Sequence, residues 1–392
     1  MKLNNNSRIG VIGAGTMGAG IAQLAATHNH RVVLLDSSSE SLPKALNNIS
    51  KQLERQVEKG RLTADLASST LARIETSSNL RDFSDCDLVI EAVVEDLAVK
   101  KQIFTDLEEV LQPLAVIATN TSSLSITAIA SACRKDAGRA LGIHFFNPAP
   151  LMPLVEIIPG IATRGDCVAA VRELIDGWGK TTVVAKDTPG FIVNRVARPF
   201  YGEALRILDE GLATTSTIDW AMKELGKFRM GPFELMDFIG NDVNYAVTEA
   251  IFAAFYYDPR YRPSITQKRM VEAGFLGRKT GKGFFDYQDD SSRALPDQDK
   301  KLGDRIVARI LAMLINEAAD AVYLNIASPQ DIDLAMTKGV NYPKGLLKWC
   351  DELGVGRVLE MLHALQQEYG EDRYRASALL RRMSEMNQSF YE

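Results

Sequence analysis

The sequence predicts an α/β chain: a doubly wound, largely parallel sheet followed by an all-α C-terminal domain present in two copies. Three observations predict it. Short β-branched runs alternate with helix-period segments through the first half. The first run ends in the glycine-rich turn GAGTMG. Beyond KDTPGF the apolar spacing becomes helical and repeats at a fixed offset.

RIGVIG (Arg8 to Gly13) reads as the first strand because it is short, apolar and stopped by glycine, and a helical pattern follows to about Ala26. RVVLLD (Arg31 to Asp36) is the second strand candidate. DLVIEA (Asp87 to Ala92), a helix from about Val99 to Leu111, AVIAT (Ala115 to Thr119) and a shorter helix from Ile126 continue the alternation. LGIHFF and LVEII come next, then a helix near Val168 to Trp178 and the strand TTVVA, so the first domain is expected to end near Lys186.

After KDTPGF, helix spacing holds around Val193 to Leu208 and again from Ile218. Glu203, Ile218, Asp219, Gly231, Asp237 and Gly240 recur as Glu317, Ile332, Asp333, Gly345, Asp351 and Gly354, every one 114 positions later, which indicates duplication. QDDSSRALPDQDKK between the copies is polar and unpatterned and reads as a linker. The second copy is degenerate: Asn194 aligns with Ala308, and the GRKTGKGFFDY tail of the first has no evident counterpart. The expected organisation is a sheet domain over 1–186, a first helical copy over 187–288 and a second over 302–392.

With 46% hydrophobic and 24% charged residues, the chain has enough apolar material for more than one core. A net charge of -5 without a dense Lys/Arg block argues against nucleic acid as a partner. Cys86, Cys133, Cys167 and Cys350 form no CxxC pair, which predicts neither a zinc site nor a disulfide framework and fits a reducing cytoplasm. Lys2 and Arg8 precede small apolar residues, but glycines interrupt any signal-like run. No apolar stretch is long enough to span a membrane.

In GAGTMG, Gly13, Gly15 and Gly18 match G-x-G-x-x-G between a strand and a helix, where bare amides and a positive helix end can receive a pyrophosphate. Asp36 lies 23 residues after Gly13, at the end of the second strand. A carboxylate there binds a ribose and repels a 2'-phosphate, which favours NAD over NADP in a Rossmann-type fold. His144, near the end of an apolar strand, reads first as a packed core imidazole. Ser122 reads first as an N-cap for the helix from Ile126, and Asn194 as a structural hydrogen-bonder. His28 and His30 flank a turn and read as structural. Met230 and the aromatic residues from Phe252 to Tyr261 read as core or pocket wall.

GAGTMGAGIA, VIEAVVED, NTSSLSI, HFFNPAPLMPLVEI, KDTPGFIVNR, MGPFELMDFIG and GRKTGKGFFDY, in this order, resemble the L-3-hydroxyacyl-CoA dehydrogenase family over essentially the whole chain. The resemblance implies a catalytic pair of His144 and Glu156, with Ser122 and Asn194 contacting the reacting oxygen and the thioester end. It implies NAD contacts from Gly13, Ala14, Gly15, Thr16, Met17, Gly18, Asp36, Glu95, Lys100, Ser122, Asn147 and Lys279. Lys59 matches a coenzyme A contact, while Gln52 stands where the family has a serine. The implied substrate is an acyl-CoA. Hydratase and thiolase would be separate proteins, and the fused second copy leaves open a homodimer or an intrachain pseudo-dimer.

The chemistry explains why such residues are needed. Oxidising a secondary alcohol removes a hydride and a proton, and the nicotinamide takes only the hydride, so a base must touch the hydroxyl. Histidine suits this if a carboxylate fixes its tautomer. A reversal near Pro150, midway between 144 and 156, would bring His144 and Glu156 together across antiparallel strands. Two other readings remain at this stage: a dehydrogenase of a small non-CoA hydroxy acid such as L-gulonate, and a non-catalytic, crystallin-like NAD-binding protein.

Overall fold

A parallel sheet covered by helices buries both faces, so its strands must be apolar at nearly every position. β1 (Ile9–Ile12), β2 (Val32–Leu35), β4 (Leu88–Glu91) and β5 (Val116–Thr119) follow this rule. Ile9, Val11, Val32, Leu34, Leu88 and Ile90 enter one core, and Ile12, Val33 and Val89 enter the other. The computed structural model describes residues 3–289 and 294–391.

The eight strands run in the order β3-β2-β1-β4-β5-β6-β7-β8, where β3 is Ile74–Ser77, β6 Ala140–Phe145, β7 Leu154–Pro159 and β8 Thr181–Val184. All neighbours are parallel except β6 and β7. The interleaved helices are α1 (Thr16–Thr27), α2 (Ser41–Glu58), α3 (Ala64–Ala72), α4 (Leu97–Val110), α5 (Ile126–Ala130) and α6 (Gly165–Gly177). The predicted strands and helices lie within a few residues of these bounds. α2, α3 and β3 were not foreseen: β3 has only four residues, two of them exposed, and carries little apolar signal.

The chain divides into two units, Met1–Phe191 and Ile192–Glu392. The division follows Phe191 and not Lys186, and a side chain explains it. Asp187 caps α5, accepting from the Ile126 and Thr127 amides and the Ser125 hydroxyl, which ties the KDTPG turn to the sheet unit.

The second unit is helical: α7 (Val193–Val196), α8 (Arg198–Asp209), α9 (Thr215–Trp220), α10 (Pro232–Ile239), α11 (Asn241–Ala254), α12 (Ile265–Glu272), α13 (Lys300–Tyr323), α14 (Pro329–Gly339), α15 (Leu346–Leu353), α16 (Val355–Tyr369) and α17 (Ala378–Met386). Of the stretch expected as a linker, residues 290–293 lie outside the described residues, and its last two, Lys300 and Lys301, already belong to α13.

Matching geometry recurs in this unit at the 114-residue offset. Asp219 accepts from the Phe233 and Glu234 amides, and Asp333 from the Leu347 and Lys348 amides. Asp237 accepts from the Phe284 and Phe285 amides, and Asp351 from the Phe390 and Tyr391 amides. Phe390 and Tyr391 thus meet Asp351 as Phe284 and Phe285, in the GRKTGKGFFDY segment, meet Asp237. These amides are 106 positions apart, not 114, so a fixed-offset comparison does not align them.

Between the α7–α8 segment and α13 the ion pairs are reciprocal. Arg195 Nε donates to Glu317 at 2.6 Å, and Arg309 Nε to Glu203 at 3.0 Å. Tyr261 and Tyr374 hydroxyls complete the two sites, donating to Glu317 and Glu203 respectively. The aromatic cluster expected as core or pocket wall is core only in part. Tyr261 is buried, but Tyr256 and Tyr257 are 93% and 68% exposed, at φ of 52° and 66°.

Candidate active site

The glycine turn comes first in the chain and sets the scale of the site. Gly13 has φ of 103°, and a Cβ there would lie 2.5 Å from the Ala92 carbonyl oxygen; at Gly18 it would lie 1.8 Å from that of Gly13. Both glycines are demanded by the turn itself. Gly15 differs: a Cβ there would meet nothing within 4 Å, so its bareness leaves open space and not a packing contact. Ala14, Thr16 and Met17 complete this strand-to-helix turn. α1 has no acidic residue in its first turn to neutralise its positive end.

Asp36 closes the other side. Its Oδ2 accepts from the Ala14 amide at 2.7 Å and its Oδ1 from the Ser38 amide at 2.8 Å, holding the carboxylate beside the turn. An uncapped helix start over an open Gly15, flanked by a fixed carboxylate, fits the pyrophosphate and ribose of NAD. A cleft of about 420 Å3 adjoins the turn between α1 and α2, lined by Gly15, Gln23, Lys44, Lys51, Gln52 and Arg55. Lys59, one residue beyond α2, is exposed two helical turns after Gln52.

His144 and Glu156 face each other as a register pair of β6 and β7. Nδ1 and Oε2 are 2.7 Å apart, with the residues 6% and 0% exposed. A buried carboxylate is costly without a partner, and here the imidazole is one. With the carboxylate as acceptor, Nδ1 carries the hydrogen and Nε2 is the nitrogen with a lone pair for a proton. The rings of Phe146 and Phe191 lie 4.5 and 5.8 Å from the imidazole. His144 is thus a buried imidazole with a carboxylate partner.

Ser122 lies on the turn after β5. It is not the N-cap of α5: Ser125 is, accepting from the Ala128 amide. Glu95 gathers the turn, its Oε1 accepting from the Thr121 and Ser123 hydroxyls and the Ser122 and Ser123 amides. Burial works to raise the Glu95 carboxyl, but these donors and the Lys100 ammonium hold it below the ordinary carboxylate range. Asn120 accepts from the Phe145 amide, linking the same turn to the end of β6.

Lys100 is 1% exposed and pairs with Glu91 at 2.7 Å and Glu95 at 3.3 Å. Glu91 is fully buried and also accepts from the Thr119 hydroxyl and the Val93 amide. Among the residues expected to touch the dinucleotide, Lys100 thus stands inside the protein as a support of the turn. Asn147 is exposed on the loop after β6. Sequence reasoning missed Glu91, Thr119 and Asp187, because their partners lie far along the chain and no local pattern announces them.

Asn194 and Lys279 belong to the helical unit. Asn194 lies on α7, half-buried, with its carbonyl accepting from Arg198. Lys279 pairs with Asp242 at 2.6 Å. His28 and His30 are structural, as expected: His30 Nδ1 bonds the Ser7 carbonyl while Nε2 accepts from Trp178.

Sheet order, glycine turn and carboxylate-held histidine define the class: an NAD-dependent dehydrogenase. The NAD binding domain of 3-hydroxyacyl-CoA dehydrogenase matches residues 8–188, and the C-terminal domain of the same family matches 190–287 and 306–389. The chain belongs to the 3-hydroxyacyl-CoA dehydrogenase family, and its cofactor is NAD.

The chain is 39% identical to 3-hydroxyadipyl-CoA dehydrogenase of Escherichia coli (strain K12), over 99% of both chains. It is 43% identical to the probable 3-hydroxybutyryl-CoA dehydrogenase of Deinococcus radiodurans, over 71% of this chain and 100% of that one. The crystal structure of 3-hydroxybutyryl-CoA dehydrogenase from Escherichia coli K12 superposes with a TM-score of 0.92 at 38% identity, covering 98% of this chain and 99% of that one. Among the described residues no helix is long and apolar enough to cross a membrane.

Proposed function

We propose that this protein oxidises (S)-3-hydroxyacyl-CoA to 3-oxoacyl-CoA reversibly, with His144 as the general base. The observation that carries the reading is the buried 2.7 Å contact between His144 Nδ1 and Glu156. NAD, when bound, supplies the hydride acceptor. His144 Nε2 takes the hydroxyl proton in oxidation and returns it in reduction. Glu156 keeps the tautomer that leaves Nε2 free and steadies the imidazolium that forms.

Ser122, held by Glu95, and Asn194 orient the reacting oxygen and the thioester. Gly13 to Gly18 and Asp36 hold the dinucleotide, with Asn147 and Lys279 as further contacts; Lys100 acts through Glu95. Lys59 contacts coenzyme A, and Gln52, two helical turns earlier on α2, takes the place of a family serine. Lys44, Lys51 and Arg55 on the preceding α2 make this helix basic, which supports an anionic ligand along it.

The helical unit is read as a duplicated domain, expected over 187–288 and 302–392 with its first copy beginning at Ile192, whose halves form an intrachain pseudo-dimer. The reciprocal Arg195–Glu317 and Arg309–Glu203 pairs support this, since a two-fold interface exchanges equivalent contacts. The Deinococcus relative is matched over its whole length by 71% of this chain, consistent with a form holding one copy. Four buried, unbridged cysteines suit a cytoplasmic protein. Hydratase and thiolase would be separate pathway neighbours.

The test is NADH oxidation with acetoacetyl-CoA, followed by absorbance, with longer and dicarboxylic 3-oxoacyl-CoAs in parallel. Turnover that requires the CoA thioester is expected. Absence of turnover with every thioester, or equal turnover of the free 3-oxo acids, would overturn the reading.

A further inference from the structure

We propose that Lys180 is a positioning residue for this reaction: its ammonium clamps the loop between β6 and β7, and through that loop fixes Asn147 and His144 against the glycine turn. The inference rests on the activity proposed above.

The loop runs from Phe146 to Pro153 and contains three prolines, Pro148, Pro150 and Pro153, which have no amide hydrogen to give. It folds on itself through the Leu151 and Met152 amides, both donating to the Pro148 carbonyl. Its other carbonyls must find donors elsewhere. Lys180, 9% exposed at the entrance to β8, supplies them: Nζ donates to the Ala149 carbonyl at 2.7 Å, Met152 at 2.8 Å and Pro150 at 3.3 Å. The next residue continues the join, with the Thr181 amide donating to the Pro153 carbonyl at 2.8 Å.

These acceptors are neutral. Burying an ammonium against three carbonyls is a costly way to hold a loop, and burial pulls the Lys180 amine down to about 8. What the arrangement fixes is visible on the loop's other side. A Cβ at Gly20, on α1, would lie 3.2 Å from Pro150 Cδ and 3.4 Å from Ala149 Cβ. The loop is thus seated directly on the helix that begins at the glycine turn. One of its ends carries Asn147 and continues from the strand bearing His144; the other leads to Glu156.

Steady-state kinetics and NADH fluorescence titration of Lys180→Met and Lys180→Arg test this. Because a displacement near 1 Å can cost about 100-fold, we expect Lys180→Met to lower kcat about tenfold or more and to weaken NADH binding about fivefold. KM for the acyl-CoA should stay within about twofold, because Lys59 is untouched, and Lys180→Arg should recover most of the loss. A Lys180→Met protein that melts earlier yet keeps kcat and NADH affinity within about twofold overturns the proposal. If Lys180→Met does not fold, Gly20→Ala presses the same loop from α1: weaker NADH binding with lower kcat supports the clamp, and unchanged values overturn it. Should the wild type turn over no acyl-CoA, the activity reading fails on its own, and the NADH titrations still read the clamp.

Discussion

His144 and Glu156 are register partners on β6 and β7, joined Nδ1 to Oε2 at 2.7 Å where the carboxylate is fully buried. The strand pairing sets this contact, so it exists before any ligand binds. Glu156→Gln keeps the shape but removes the charge that steadies the imidazolium. Turnover should fall by about 10 to 100-fold while KM for the acyl-CoA changes little. Turnover within about twofold of wild type would remove Glu156 from the proposed function.

Gly15 separates ligand binding from folding. Its added Cβ would meet no protein atom within 4 Å, whereas one at Gly18 would collide with the Gly13 carbonyl. Gly15→Ala should therefore melt like wild type yet bind NADH about tenfold more weakly, because the methyl enters the space the pyrophosphate needs. Unaltered affinity would place the dinucleotide elsewhere.

The reciprocal pairs in the helical unit predict a stability effect without a cofactor effect. Arg195 and Glu317 are each 2% exposed and 2.6 Å apart. Glu317→Gln leaves the Arg195 and Arg260 guanidiniums short of a buried counter-charge, a class of change that costs about 3–5 kcal/mol. Urea unfolding should show that loss while NADH affinity stays at its wild-type value. A variant as stable as wild type would mean that the pair contributes nothing net.

His30 gives the pH dependence. Burial lowers its pKa, outweighing the Ser7 carbonyl, and the Trp178 N–H already occupies Nε2. Below the ordinary histidine value near 6.5 the unfolded chain takes up a proton that the folded protein resists, so stability present at neutral pH is lost as pH falls. His30→Gln should narrow the difference in melting temperature between about pH 7.5 and pH 5, with Trp178 fluorescence as the reporter. An unchanged difference would show that His30 does not carry this linkage.

Much of the site was legible in the sequence because its parts are local. The glycine turn occupies one junction, Asp36 ends the next strand, and a hairpin centred on Pro150 pairs residues equidistant from it. What was not legible is the scaffolding around them. The Glu91–Lys100 pair, the Asp187 cap on α5 and the hold of Lys180 on three carbonyls join residues made neighbours only by the sheet order. Carbonyl acceptors leave no mark on a sequence at all. The Ser122 reading failed as a cap because Ser125, three residues on, has the extended backbone and a hydroxyl oxygen aimed at the Ala128 amide of the first turn. For Tyr256 and Tyr257, read as core or pocket wall, the core alternative fails for a different reason: aromatic composition suggests burial, whereas at left-handed backbone both are exposed.

The most direct test of the central claim is the turnover of His144→Gln at saturating acetoacetyl-CoA and NADH, measured beside its NADH affinity. With His144 as the base, turnover drops by about 100-fold or more while NADH binds as before. A variant that binds NADH normally and retains wild-type turnover would contradict the account.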